Sequence, residues 1–351
     1  MVRINPSSIK NILIIRKHNQ IGDMIVSIPM YYALKKTFPE SRITLLASKT
    51  NYKIPFSEIN PYIDDVIIYD KIKIQNAIKL IKQLRKLKFD LVVIPSTVRF
   101  STTHNLISFL AGIKYRVGVS GVNGSKNKLS FLLNIKAKFN WIENKTHQIF
   151  RNLEVIEQIG CKLNFSEIFD SFPKISEKDE TEMKKILDES FNEKNILIGI
   201  HPGAGKTQNI WDSENFLSLI KNLYQNYQAN FIITGGFTDE EIIQKIQIEL
   251  VNSKIPFLLA QNYEFRKLMS LINQCDLFIS NDTGVMHIAG LTNTVLVGLM
   301  KKGNVREWAP MWKNKFYVSS PTDNINDLSL EEVQNFCNKV LNLTKWRKKL
   351  V

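Results

Sequence analysis

Eight consecutive residues, Ser280-Asn281-Asp282-Thr283-Gly284-Val285-Met286-His287, carry the densest chemistry in this chain. They follow the apolar run Leu277-Phe278-Ile279 and lead into Ile288-Ala289-Gly290-Leu291, which reads as strand, polar turn and helix start. Such a turn aims free backbone N–H groups and the positive helix end at one point, a setting that suits phosphate. A carboxylate beside that anion would repel it, so Asp282 is better employed accepting hydrogen bonds from hydroxyls. A ligand with both phosphates and hydroxyls is a nucleotide-sugar.

Three other strand ends carry candidates. The loop Lys17-His18-Asn19-Gln20-Ile21-Gly22-Asp23 follows the first strand and puts Asp23 at its mouth. A partly desolvated carboxylate there could take a proton from an attacking hydroxyl; it could equally cap the next helix. His18 otherwise reads as a solvated loop residue. The loop His201-Pro202-Gly203-Ala204-Gly205-Lys206 spaces two glycines so that backbone amides can approach an anion, and Lys206 adds a point charge; a plain turn is the other reading. Gly235-Gly236 ends a third strand, and Asp239, Glu240 and Glu241 open the next helix. One of these acids could accept ribose hydroxyls, or all could simply complement the helix dipole. Neither GxGxxG nor GxxxxGK[ST] occurs at these loops, which disfavours a dinucleotide oxidoreductase and gives no indication of P-loop ATP hydrolysis. No HExxH or CxxC pattern suggests a metal, and neither GxSxG nor a cysteine nucleophile signature is present.

These loops need a scaffold that gathers strand ends. Short apolar runs alternate with helical patterns, the signature of parallel sheets with helices on both faces. In the first half, strands are expected at Asn11–Arg16, Arg42–Ala47, Asp65–Tyr69, Leu91–Pro95 and Tyr115–Val119, with helices near Ile28–Thr37, Ala77–Leu87, Asn105–Ala111 and Thr146–Ile159. Phe169 to Asp179, with Pro173, loses periodicity and marks a domain boundary. The second half restarts with strands Asn195–Ile200, Ala229–Thr234, Asp276–Ser280 and Val295–Leu299, and helices Ser213–Tyr224, Asp239–Val251 and Phe265–Asn273. Ser329 and Glu332 form a capping-box signature for a last helix, Ser329–Lys349. The fold class is therefore α/β: two Rossmann-like domains, 1–172 and 173–328, with a cleft between the carboxyl ends of their sheets.

At 351 residues the chain is long enough for two such domains. No run of about 18 apolar residues is present, and Met1 to Lys10 lack a signal-peptide core. Three widely spaced cysteines, Cys161, Cys275 and Cys337, fit a reducing cytoplasm. The net charge of +14 is lopsided: residues 1–150 hold 24 Lys+Arg against 8 Asp+Glu, residues 151–351 hold 23 against 25. A basic first half implies an anionic partner, whether a phosphorylated substrate, an anionic membrane surface or nucleic acid; a Lys-rich compositional habit would produce the same numbers. Nucleic acid is disfavoured because no binding motif or aromatic interleaving accompanies the charge. The tail Lys345-Trp346-Arg347-Lys348-Lys349 either touches the membrane surface or is solvated.

The ordered set of blocks resembles glycosyltransferase family 9, the bacterial lipopolysaccharide heptosyltransferases. The matching blocks are Ile12–Arg16 through Ile21-Gly22-Asp23-Met24-Ile25, Pro29 to Pro39, His201-Pro202-Gly203-Ala204 with Trp211, Thr234-Gly235-Gly236, and Ser280–Gly284 with Met286-His287-Ile288-Ala289. The resemblance implies a GT-B fold and an inverting transferase that needs no metal or other cofactor. It implies that Asp23 is the catalytic base, and that the second domain binds the donor through His201, Gly203, Ala204, Gly205 and Lys206, Gly235, Gly236 and Glu240, and Asp282, Thr283, Gly284, Met286 and His287. The acceptor, an anionic lipopolysaccharide or lipid A, would meet Arg16, His18, Gly22, Arg99 and Arg116. The final helix, 329–351, would pack back on the first domain. A cytoplasmic monomer touching the inner face of the inner membrane is the expected form. One residue departs from the pattern. Family members often carry a phosphate-neutralising lysine two residues before the tryptophan, and this chain has Asn209 there. Lys206 could substitute, or the donor could be a nucleotide-sugar other than ADP-heptose.

Overall fold

The structure, a computed structural model, describes residues 2–16, 18–49, 54–69, 74–142, 145–191 and 195–348, without the side chains of 74 and 344–348. Lys17 of the first loop and the side chains of the basic tail therefore lie outside the described residues. The chain divides into two units, Met1–Pro173 and Lys174–Val351.

The first unit is a sheet in the order β3-β2-β1-β4-β5-β6, with β7 also pairing β5. Its strands are β1 (Asn11–Ile15), β2 (Arg42–Ser48), β3 (Asp65–Tyr69), β4 (Leu91–Ile94), β5 (Tyr115–Val122), β6 (Ser125–Lys126) and β7 (Ile135–Phe139). All pairings are parallel except the short β5–β6 turn-back. Helices on both faces explain why β4 and, from Ile12 onward, β1 are apolar runs buried throughout. Leu13, Ile15, Val92 and Ile94 pack with Leu84, Ile107 and Leu133 in one core.

The second unit repeats the plan with six parallel strands ordered β10-β9-β8-β11-β12-β13. They are β8 (Leu197–His201), β9 (Asn230–Gly235), β10 (Phe257–Gln261), β11 (Leu277–Asn281), β12 (Val295–Met300) and β13 (Lys315–Ser319). In each unit the strand order reverses beside the first strand, which opens a crevice at the carboxyl end of the sheet. Large rings on the neighbouring strands demand small residues opposite them in β8 and β12. A Cβ on Gly199 would stand 2.3 Å from the Phe278 ring, and one on Gly298 would stand 2.8 Å from Tyr317.

The last helix, Leu330–Lys348, begins as expected: the Ser329 hydroxyl accepts from the Glu332 amide at 3.2 Å. Val333, Cys337, Val340 and Leu341 of this helix are buried in the second unit's core with the helix Ser213–Tyr227. All three cysteines are buried and free. No helix among the described residues is long and apolar enough to cross a membrane.

Candidate functional site

In the first unit, the chain leaves β1 at Ile15 and turns into the short helix Ile21–Ile25. Arg16, Asn19 and Asp23 are buried in that turn, while His18 is exposed. Asp23 is the third residue of that helix rather than its N-cap, which is Gln20. One carboxylate oxygen, Oδ2, accepts from the Gln20 amide at 3.3 Å and so stitches the helix start. The other, Oδ1, faces the Arg16 guanidinium at 4.0 Å. Arg16 is itself fixed by donating to Asn152 Oδ1 at 3.3 Å, from the helix Gln148–Glu157. Arg16, His18, Asp23, Ser96, Thr97 and Arg99 line a hollow where β1 and β4 end. Gly22 lies buried in the helix beneath it.

Arg116 is not brought to this end of the sheet. It is the second residue of β5 and pairs in register with Val92, near the start of β4. Its guanidinium donates to the carbonyls of Leu132 and Ile113 and lies 5.6 Å from the Phe109 ring. Arg116, expected to meet the acceptor, thus stands apart from the Asp23 hollow and ties the start of β5 to Ile113 and Leu132.

In the second unit, side chains cross-tie the loops that leave β8, β9, β11 and β12. His201 ends β8, buried, with Nδ1 3.1 Å from the Thr234 carbonyl and 3.0 Å from the Thr234 hydroxyl oxygen. Burial lowers its pKa below the ordinary imidazole value, against the opposing pull of Asp239 and the Thr234 carbonyl. Because a carbonyl can only accept, Nδ1 carries the proton and Nε2 is left as an acceptor. Asn281 ends β11; its amide donates to the Pro202 carbonyl at 2.7 Å, and its Oδ1 accepts from the Trp211 amide at 3.3 Å. Trp211 is fully buried, donates Nε1–H to the Leu328 carbonyl and stacks edge-on against Phe216, a packing role.

Asp239, rather than Glu240, is the acid drawn into these loops. It is buried, accepting from the Gly236 amide at 2.7 Å, while Glu240 stays exposed on the first helical turn. The Asp239 carboxylate also explains Gly203, where a Cβ would stand 2.2 Å from it. Gly203 thus makes room for an aspartate, whereas a Cβ on Gly205 would meet open space. Lys206 is exposed beside Gly205.

Asp282 is half-buried in the turn after β11. Its backbone carbonyl accepts from Asn209 Nδ2 at 2.8 Å, so the residue at the departing position latches two loops together. Its carboxylate Oδ2 accepts from Asn304 Nδ2 at 2.9 Å. Burial pushes the Asp282 carboxyl above its ordinary pKa, while the Asn304 hydrogen bond and the charges of Lys301 and Lys206 pull it back. Thr283 and Gly284 are partly accessible at the same turn. Met286 and His287 are different: both are buried, with the Met286 sulfur against the Gly298 position of β12. The expectation of donor contacts for Met286 is therefore replaced by a packing role.

Sequence reading missed Lys301 and Asn304. They lie in the loop after β12, where Gly303 turns the chain with φ +82° ahead of the helix Asn304–Trp308. The strand-end rule that singled out the other loops applies to this one too. Among the described residues no group of three or more His, Cys, Asp or Glu could hold a metal ion.

Two Rossmann-like units, each with its ligand-binding loops at the carboxyl end of a parallel sheet, make up the GT-B fold. The chain belongs to glycosyltransferase family 9 (heptosyltransferase), whose model matches residues 77–335. It is 26% identical to lipopolysaccharide heptosyltransferase 3 of Escherichia coli strain K12, over 84% of this chain and 83% of that one. It is 25% identical to a putative glycosyltransferase of Haemophilus influenzae, over 86% of each. Among solved structures, E. coli ADP-heptose lps heptosyltransferase II shares the fold with a TM-score of 0.71 at 20% identity, covering 95% of this chain and 99% of that one. E. coli heptosyltransferase WaaC with ADP-2-deoxy-2-fluoro heptose gives a TM-score of 0.61 at 14% identity, over 93% and 99%.

Proposed function

We propose that the protein is an inverting, metal-independent glycosyltransferase that moves heptose from ADP-heptose to the lipopolysaccharide inner core, working at the cytoplasmic face of the inner membrane. Asp23 accepts the proton of an acceptor hydroxyl as that oxygen bonds to the anomeric carbon. The bond from that carbon to the diphosphate oxygen breaks, and ADP leaves with the electron pair. The transition state is oxocarbenium-like, as in glycoside hydrolysis. The growing charge on the diphosphate is met by backbone amides of the His201–Gly205 loop and the Thr283–Gly284 turn, with Lys206 and Lys301 nearby. Asp282 and the acceptor nitrogen of His201 hold donor hydroxyls. Arg16, His18 and Arg99 face the anionic acceptor.

The observation that carries this reading is Asp23 itself: a buried carboxylate set against Arg16 in a lined hollow at the carboxyl end of β1. The related lipopolysaccharide heptosyltransferases support the choice of heptose and of lipopolysaccharide.

A second reading, the same chemistry with another nucleotide-sugar, is favoured by Asn209, whose amide is committed to the Asp282 carbonyl. One experiment separates them: nucleotide release from ADP-, GDP- and UDP-sugars with heptose-free lipopolysaccharide as acceptor, with and without EDTA. Turnover of ADP-heptose alone, unaffected by EDTA, is expected. Turnover of a UDP- or GDP-sugar instead selects the second reading, and no turnover of any donor overturns both.

A further inference from the structure

The helix Thr102–Leu110 turns an apolar face to solvent. His104, Asn105, Ile107 and Ser108 point inward, while Leu106, Phe109 and Leu110 are 41%, 48% and 41% exposed. The helix packs against the turn Ser130–Leu132, whose Phe131 is 69% exposed. Four large apolar side chains therefore share one outward patch, which a water-facing surface does not require.

Cations ring this patch through contacts of their own. Arg85 donates to the Leu110 carbonyl at 2.8 Å, Lys136 donates to the Ser130 carbonyl at 2.8 Å, and Arg116 lies over Phe109. Lys114, two residues before Arg116, is exposed, with its ammonium 5.0 Å from the Tyr115 ring. From Arg85 to Phe139 the sequence carries ten Lys or Arg and one acid, Asp90. That acid is spent on the amides of Lys10 and Asn11.

We propose that this patch is a membrane-docking surface whose partner is an anionic lipid bilayer. Leu106, Phe109, Leu110 and Phe131 enter the headgroup layer, and the surrounding cations meet lipid phosphates. A second copy of the chain fits poorly, because the contact would press two strongly basic segments together. Nucleic acid also fits poorly, since Leu106 and Leu110, half of the patch, offer bases nothing to stack on and no binding motif accompanies the two phenylalanines. The helix begins three residues after Arg99, so the patch adjoins the segment that lines the Asp23 hollow. The inference deepens the proposed membrane-bound acceptor, yet it needs neither donor nor acceptor for its test.

The test is flotation of the full chain with vesicles of 30% phosphatidylglycerol in phosphatidylethanolamine, and with pure phosphatidylcholine vesicles, at low and high salt. The wild type is expected to float with the anionic vesicles at low salt, and at least about tenfold less with the neutral ones or at high salt. Leu106→Ser with Phe131→Ser, and separately Lys114→Glu with Lys136→Glu, should each weaken anionic binding about tenfold or more while leaving the melting temperature unchanged. The charge-reversed pair touches no apolar side chain and decides the matter if the serine pair misfolds. Undiminished binding by the variants, equal flotation with neutral vesicles, or loss of RNA binding or self-association in place of vesicle binding would each overturn the proposal. Vesicle binding without turnover of any nucleotide-sugar would leave the docking surface standing and remove the proposed transfer reaction.

Discussion

The carboxyl ends of the two sheets are built on the same plan and furnished in opposite ways. At the first, one carboxylate sits against one guanidinium, with a single backbone amide and one asparagine holding the pair in place. At the second, Asn209, Asn281 and Asn304 cross-tie three loops before any ligand arrives, and Asp239 fastens a fourth on itself. A sparse site suits a group that must exchange a proton. A densely tied site suits preorganised donors and acceptors around charge that develops during reaction. Under the proposed function, one fold would support two tasks through the loops it carries.

Substitutions can break that contrast. The largest effect is expected from Asp23→Asn, which should lower kcat about 100- to 10,000-fold with donor affinity and melting temperature nearly unchanged; calorimetric donor titration beside steady-state kinetics checks the split. Next is Gly203→Ala, whose new methyl would overlap the Asp239 carboxylate. Overpacking of this kind costs about 1–3 kcal/mol, so donor affinity should fall roughly 5- to 150-fold while acceptor affinity holds. Asn304→Ala should raise the donor KM about tenfold, the scale of a lost hydrogen bond to a charged group. It should also make donor binding fail at a higher pH on acidification. The sign follows from Asp282: its carboxyl is already raised by burial, Asn304 pulls it down, and removing that pull raises it further. A pH profile of kcat/KM for the donor tests this, and a uniform loss at every pH would reduce Asn304 to packing. The smallest effect on catalysis is expected from Arg116→Ala. It should lower stability by about 1–3 kcal/mol, through the unpaired Leu132 and Ile113 carbonyls, with acceptor KM unchanged in kinetics run beside thermal melts.

What could be read from sequence follows the same divide. Asp23, the His201 loop and the Asp282 turn were legible because each ends an apolar run, and strand ends are where such folds bind ligands. The tie between Asn304 and Asp282 was not, since the two lie 22 residues apart and only the pairing of β11 with β12 joins their loops. Arg116 was misassigned for a related reason: a strand's sequence does not say at which end of the sheet a given cation will stand. Among the elements, β7 was hidden by its lysines. Ile135 is buried while Lys136 and Lys138 face out along an edge, an arrangement that discourages pairing with another chain. The helix Glu177–Ser190 was overlooked because only Met183 is buried and no apolar stripe announces it. β13 opens with Lys315, a residue type rarely found inside. Its ammonium donates to the Thr292 and Thr294 carbonyls, and burial lowers its pKa to about 7.

The sealed thiols give the molecule built-in clocks. Burial raises Cys161 to about 11 and Cys337 to about 12, and raises Cys275 as well, so at neutral pH almost no thiolate is available to an alkylating or oxidising reagent. Cys161 belongs to the front half and the other two to the rear half. Labelling, followed residue by residue in a mass spectrometer, would therefore time the opening of each half separately, without any engineered probe.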